Sequence, residues 1–396
     1  MKDRLIADIQ EALRTERMDG WLFWSFRGSD PIAENVLGLD RSQISTRRWS
    51  YFVPAAGEPQ KVVHAIEPHV LDSLPGRQRV YLAWQELHRE LREAMAGASR
   101  VAMQYSPLNG IPYVSRVDAG TVDLVRSFGL EVVSSADLVQ RFEAVWTGEQ
   151  FETHLYAACS LREIVDDAFR EVGRRIREGL PADEYGIQEF ICEQYRARGL
   201  ISSDRPIVAV NAHSADPHYA PARDRTSVIA RGDFLLIDIW AKKPDPGAVY
   251  GDITWTGFVG ETVPERHETI FQIVRRGRDA AISLVRKAHA AGVPLHGWEV
   301  DDAARQSIAS AGYGEYFIHR TGHSIDEEDH GNGANIDNLE TRDNRTLLGG
   351  TCFSIEPGVY LKGEFGIRSE VDVFLGPDGP MVTGTPIQES VVRILA

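Results

Sequence analysis

Apolar residues recur every three to four positions at Leu5, Ile6, Ile9, Ala12 and Leu13, and predict a helix over residues 4–16. The apolar run Trp21-Leu22-Phe23-Trp24 follows and reads as a buried strand. Tyr51-Phe52-Val53 and Val62-Val63 predict two strands joined through Gly57-Glu58-Pro59. Leu87, Leu91 and Met95 mark a helix before a strand at 100–104, and a helix over 119–129 leads to the strand Glu131-Val132-Val133. Alternating helices and strands predict an α/β domain over residues 1–146. It carries no catalytic constellation.

A second domain, residues 147–396, opens with helical spacing of Leu161, Ile164, Val165, Ala168, Phe169, Val172 and Ile176, ending at Gly179. A helix with Ile187, Phe190, Ile191 and Tyr195 ends at Gly199. The strand Ile207-Val208-Ala209-Val210 and a loop with His213 and His218 come next, then two apolar segments that each carry an acid. The order then recurs. Pro264 opens a helix with Ile270, Ile273, Val274, Ala281, Leu284 and Val285, and a shorter helix spans 300–311. A histidine-rich segment and a second pair of acid-bearing segments follow. Helix, helix, histidines, acid pair, twice over, predicts a structural duplication whose halves face each other across one site.

The acids change the picture most. Asp238 ends Phe234-Leu235-Leu236-Ile237, and Asp252 lies in Tyr250-Gly251-Asp252-Ile253-Thr254. Glu356 follows Phe353-Ser354-Ile355, and Glu370 closes Gly366-Ile367-Arg368-Ser369. An unpaired carboxylate in apolar surroundings is costly, so each must be paired, protonated or bound to a cation. Each pair is separated by 14 residues, a spacing that lets two adjacent strands present both acids on one face. With His323, in His319-Arg320-Thr321-Gly322-His323, the four acids make an oxygen-rich ligand set with one imidazole. Such a set suits Mn²⁺, Co²⁺ or Zn²⁺.

A net charge of −15 argues against nucleic acid or an anionic membrane as partner. The three cysteines, Cys159, Cys192 and Cys352, form neither a disulfide framework nor a zinc ribbon. The first residues lack the apolar core of a signal peptide, and no long apolar run follows. These features predict a cytoplasmic protein.

On these motifs the chain resembles the metallopeptidase clan of methionine aminopeptidase, aminopeptidase P and prolidase, over most of residues 150–396. The resemblance implies an α+β pita-bread catalytic domain of the creatinase/aminopeptidase type, preceded by the smaller α/β domain of the prolidase branch. It implies that Asp238, Asp252, His323, Glu356 and Glu370 hold two metal ions, Mn²⁺ foremost, with Asp252 and Glu370 bridging them. Glu356 would also carry the proton from water to the leaving nitrogen. His218, in Pro217-His218-Tyr219, matches the family's substrate-side histidine. His330 matches the second active-site histidine, which donates to the oxyanion. Arg342 lies where prolidases hold the carboxylate of a C-terminal proline. Arg368 orients the acids.

The implied activity is hydrolysis of Xaa-Pro bonds in dipeptides or short proline-containing peptides, by a homodimer. Aminopeptidase action on longer peptides stands beside it. So does a non-peptidase reaction, as in creatinase-like enzymes, ectoine-derivative hydrolases or sulfoniopropionate lyases, and so does a binding module without metals. Three departures from the family pattern bear on the choice. Ser324 replaces a glycine, Gly331 replaces a glutamate, and Trp255 stands between Thr254 and Thr256 where arginine is common. All three are expected to reshape the surroundings of the site and the cleft walls.

Overall fold

A computed structural model describes residues 2–40, 42 and 45–396, which divide into two compact units, Met1–Glu143 and Ala144–Ala396. The first unit runs α1 (Lys2–Thr15), β1 (Gly20–Phe26), α2 (Pro31–Val36), β2 (Arg48–Pro54), β3 (Gln60–His64), β4 (Arg77–Tyr81), α3 (Trp84–Ala94), β5 (Arg100–Met103), α4 (Ala119–Arg126), β6 (Glu131–Ser134) and α5 (Ala136–Glu143). Its strands form one sheet in the order β4-β3-β2-β1-β5-β6. Alternation along β1 sends Trp21 and Phe23 into the core under α1, α2 and α5. Leu22 and Trp24 go into the core under α3 and α4. Both faces are covered, which is why β1 is apolar throughout.

The second unit comprises α6 (Gly148–Glu178), α7 (Glu184–Ala197), β7 (Ile207–Val210), β8 (Phe234–Ala241), β9 (Gly251–Phe258), α8 (Glu265–Ala291), α9 (Gly297–Ser310), β10 (Ser324–Ile325), β11 (Cys352–Ile355), β12 (Gly358–Leu361), β13 (Phe365–Arg368), β14 (Val371–Gly376), β15 (Gly379–Val382) and β16 (Val392–Arg393). α6 starts at a reciprocal cap: Gln150 N donates to Thr147 Oγ1 at 3.2 Å and Thr147 N to Gln150 Oε1 at 2.9 Å. Such a cap is worth about 1 kcal/mol. The helix stops at Gly179, whose φ of 67° is left-handed.

Two four-stranded sheets carry the unit, β16-β9-β8-β7 and β10-β11-β14-β15. In the first, Leu235, Ile237, Ile239, Ile253 and Trp255 turn toward α6 and α7 and build one core. In the second, Phe353, Ile355, Val371, Val373 and Leu375 turn toward α8 and α9 and build another. The faces left over meet: Asp252 N donates to Asp372 Oδ2 at 2.9 Å, and Glu370 N to Thr254 O at 3.3 Å. Each sheet thus gives one face to helices and the other to the opposite sheet, and the duplicated order of elements is explained by these two helix-backed sheets.

Candidate metal centre

The register of β8 and β9 sets the first pair of acids. Asp238 lies opposite Thr254 and Asp252 opposite Trp240, so both acids point to the face turned from the helices. The second pair is set differently. The β11–β14 ladder ends at Ile355 opposite Val371, and Glu356 and Glu370 are the next residues of each chain. They stand where the chain leaves the sheet for the separate β12–β13 hairpin. His323 precedes β10 and is fixed along β11: its N donates to Ser354 Oγ at 3.0 Å, and Ser354 N donates to its O at 2.8 Å. Gly322 makes that approach possible, since a Cβ there would lie 1.9 Å from Ser354 O.

The five residues converge. Asp252, His323 and Glu370 each present a ligand atom within 4.8 Å of the others, all three buried. His323 Nε2 lies 3.4 Å from Glu356 Oε1 and 3.7 Å from Asp252 Oδ2. Asp238 is tied in by the Arg368 guanidinium and by Thr254 Oγ1 at 2.8 Å. Thr254 Oγ1 is also 2.7 Å from Glu370 Oε2 and accepts from Arg368 Nε at 2.9 Å. Arg368 thus orients the acids.

The donor set fits divalent cations. Asp252 Oδ1 and Glu370 Oε1 are buried carboxylate oxygens without a hydrogen-bond partner, a condition that costs several kcal/mol unless a cation satisfies them. Burial, followed by Glu370, Asp329 and Asp238, pushes the Asp252 carboxyl well above its usual range. Burial, followed by Glu356 and Asp238, does the same to Glu370. Burial first, then His330 and Arg320, lowers His323, which leaves its imidazole neutral as ligation requires. Glu356 is raised from 4.5 to about 7, by burial and by Asp238 against the opposing pull of Arg368.

These shifts have a sign that can be measured. A carboxyl whose pKa rises on folding costs nothing below its unfolded value and destabilises as pH climbs from that value to the folded one, where the loss is complete. For Glu356 the loss develops between pH 4.5 and about 7. Bound cations remove it. The gap in melting temperature between metal-loaded and chelator-treated protein should therefore widen from pH 5 to pH 8. A gap independent of pH would show that these acids do not carry the metal linkage.

The remaining expected residues lie at different depths. His330 is beside the cluster, its ring centroid 4.1 Å from that of His323, with its side chain 64 % exposed. His218 lies on an exposed loop, near enough for its charge to be felt at His330. Arg342 is exposed, with its guanidinium 4.4 Å over the Trp298 ring, and makes no ion pair among the described residues. Its neighbour Asp343 is taken by Arg345, at 3.0 and 2.6 Å. His213 is held by the fully buried Glu184 at 2.8 Å and stacks on Tyr219. His319 bonds Tyr360 OH at 2.8 Å, which also accepts from Arg368 Nη1 at 3.3 Å.

The three departures from the family pattern separate on inspection. Trp255 points away from the acids into the core under α6, where the Arg162 guanidinium lies 3.6 Å over its ring, so it does not form a wall of the site. Ser324 and Gly331 are neighbours, with Asp326 crowding 331 more closely than Ser324 does. A Cβ on Gly331 would lie 2.6 Å from Asp326 Cβ and 3.1 Å from Ser324 Oγ, so the side chain present at 324 occupies space beside 331. Two acids escaped the sequence reading. Asp372 is fully buried two positions after Glu370, a period-two signal visible in Glu370-Val371-Asp372. Asp329 ends the acidic run Asp326-Glu327-Glu328-Asp329 directly before His330, which reads as a solvated loop until it is folded against the site.

The chain matches Metallopeptidase family M24 over residues 160–377 and belongs to that family. It is 27 % identical over 366 residues to a probable dipeptidase PepE of Mycobacterium tuberculosis, covering 89 % of this chain and 87 % of the relative. Its fold is that of the dipeptidase PepE from Mycobacterium ulcerans, at a TM-score of 0.72 and 22 % identity over 99 % of this chain and 98 % of that one. It is likewise that of an Xaa-Pro dipeptidase from Bacillus anthracis, at a TM-score of 0.63 and 22 % identity over 99 % and 100 % of the two chains. The fold is the pita-bread fold, and the protein is a metallopeptidase with a candidate metal centre between its two helix-backed sheets. Among the described residues no helix is long and apolar enough to cross a membrane.

Proposed function

We propose that the chain is a two-metal Xaa-Pro dipeptidase. The observation that carries this reading is the convergence of Asp238, Asp252, His323, Glu356 and Glu370 around carboxylate oxygens without a hydrogen-bond partner among the described residues. Asp252 and Glu370 would be the bridging ligands, with Asp238, His323 and Glu356 completing the set. Its four hard carboxylates favour Mn²⁺, with Co²⁺ or Zn²⁺ as substitutes. When bound, two such ions polarise a carbonyl and lower the pKa of water toward neutrality.

The protein groups do the rest. Glu356 carries a proton from the attacking water to the proline nitrogen, which has no hydrogen of its own and leaves only when protonated. His330 donates to the oxygen that gains negative charge, and His218 stabilises the substrate side of the same intermediate. The same reading extends to a cytoplasmic homodimer.

Arg342 supports the dipeptidase over an aminopeptidase. An exposed guanidinium without an anionic partner among the described residues, braced on the Trp298 ring, can take a carboxylate through two parallel hydrogen bonds. In a dipeptide that carboxylate lies one residue beyond the scissile bond; in a longer peptide the position is a neutral amide. Xaa-Pro dipeptides should therefore be cleaved much faster than Xaa-Pro-Yaa peptides when both are assayed with Mn²⁺. Arg342→Ala should lower kcat/KM on dipeptides by ~2–4 kcal/mol, mostly through KM, with a far smaller effect on tripeptides. Equal losses on both, or none on dipeptides, would favour the aminopeptidase. Turnover of ectoine-type amides alone would replace both readings.

A further inference from the structure

We propose that Asp329 makes the enzyme selective for peptides whose N-terminal residue carries a cationic side chain, lysine or arginine. The inference rests on the peptidase reading above and names the substrate class within it.

Asp329 stands at the edge of the metal centre and is not needed to complete it. Its Oδ2 lies 3.8 Å from His330 Nε2, and ligand atoms of Asp329, His330 and His323 fall within 4.8 Å of one another. Its Oδ1 is buried without a hydrogen-bond partner, while the side chain keeps 18 % of its surface open. Among the described residues it makes no ion pair with lysine or arginine.

The charges explain why this matters. Asp238, Asp252, Glu356 and Glu370 bring four negative charges, which two divalent ions match, and Arg368 pairs with Asp238 besides. Asp372 is a further acid, but it is sealed from solvent and spends an oxygen on Asp252 N. Asp329 combines a carboxylate oxygen without a partner among the described residues with partial access from solvent. Its position indicates what can reach it. His330 marks the scissile carbonyl, so a group beside His330 faces the residue that carries that carbonyl, which in a dipeptide is the N-terminal one. The α-amine is common to all such substrates and discriminates nothing. A long side chain ending in an ammonium or guanidinium is what separates them.

The test uses the metal-loaded full chain and a pair of substrates that differ by one charge, lysyl-proline and norleucyl-proline. The parent should favour lysyl-proline at least ~10-fold in kcat/KM, the scale of one charge-assisted hydrogen bond. Asp329→Asn keeps the shape and should bring the ratio near one, with metal content unchanged. Calorimetric binding of free lysine against free norleucine should show the same preference and the same loss. Should no proline dipeptide be cleaved while that binding preference is present and lost in the variant, the Xaa-Pro reading fails and this inference stands. A preference absent from the parent, a preference intact in Asp329→Asn, or loss of metal from that variant would each overturn it.

Discussion

Asp252→Ala and Glu370→Ala should each abolish peptide hydrolysis and strip metal from the protein. Both residues belong to the group of three ligand residues that is buried throughout, and each has one oxygen with no partner among the described residues. As bridging ligands each would serve both ions, so losing one dismantles the pair. Disturbing only an outer partner of a metal ligand already costs 10–100-fold. A bridging ligand should cost more than about 100-fold in kcat/KM, with bound metal falling below two ions per chain by elemental analysis. Stability provides an independent check. In chelator the parent keeps Asp252 and Glu370 crowded and buried, each carboxyl pushed well above its usual range by burial and by repulsion from the neighbouring acids. Removing either relieves that repulsion, so each variant should melt higher than the metal-free parent and gain little when metal is added. Activity within tenfold of the parent for either variant would sink the bridging assignment.

His330→Ala is the second large effect, and it should act on rate alone. The ring lies beside His323 but keeps most of its surface open, the placement of a group that meets substrate. A donor to a developing oxyanion contributes most in the transition state, so kcat should fall ~100-fold or more while metal content holds. The competing possibility is drawn by the same geometry, because His330 also falls within ligand distance of His323 and Asp329. Metal lost from His330→Ala would make it a ligand.

The placement of these residues shows what folding adds to a pattern. The spacing of Asp238 and Asp252 predicted a shared face, and the β8–β9 register puts both there. The equal spacing of Glu356 and Glu370 arises by another route, at the mouth of the β11–β14 ladder with a hairpin of its own in between. Trp255 looked like a change in the site because it sits between Thr254 and Thr256, yet strand alternation turns it to the opposite face. Ser324 and Gly331 looked like unrelated changes, yet they lie side by side, with Asp326 leaving the least room for a side chain at 331.

The sequence by itself determined most of the long elements and the family, and singled out four acids beside His323 as candidates, because periodicity, caps and apolar neighbours are local and each leaves its mark within a few residues. The tertiary structure decided which acids stay unsatisfied, which arginine holds Asp238, that Arg342 rests on Trp298, and that Asp329 joins the site. Each depends on residues tens to more than a hundred positions apart, or on a loop folding against a distant strand. Charge, burial and hydrogen bonding at a point in space are sums over all neighbours there, and no window along the chain contains them.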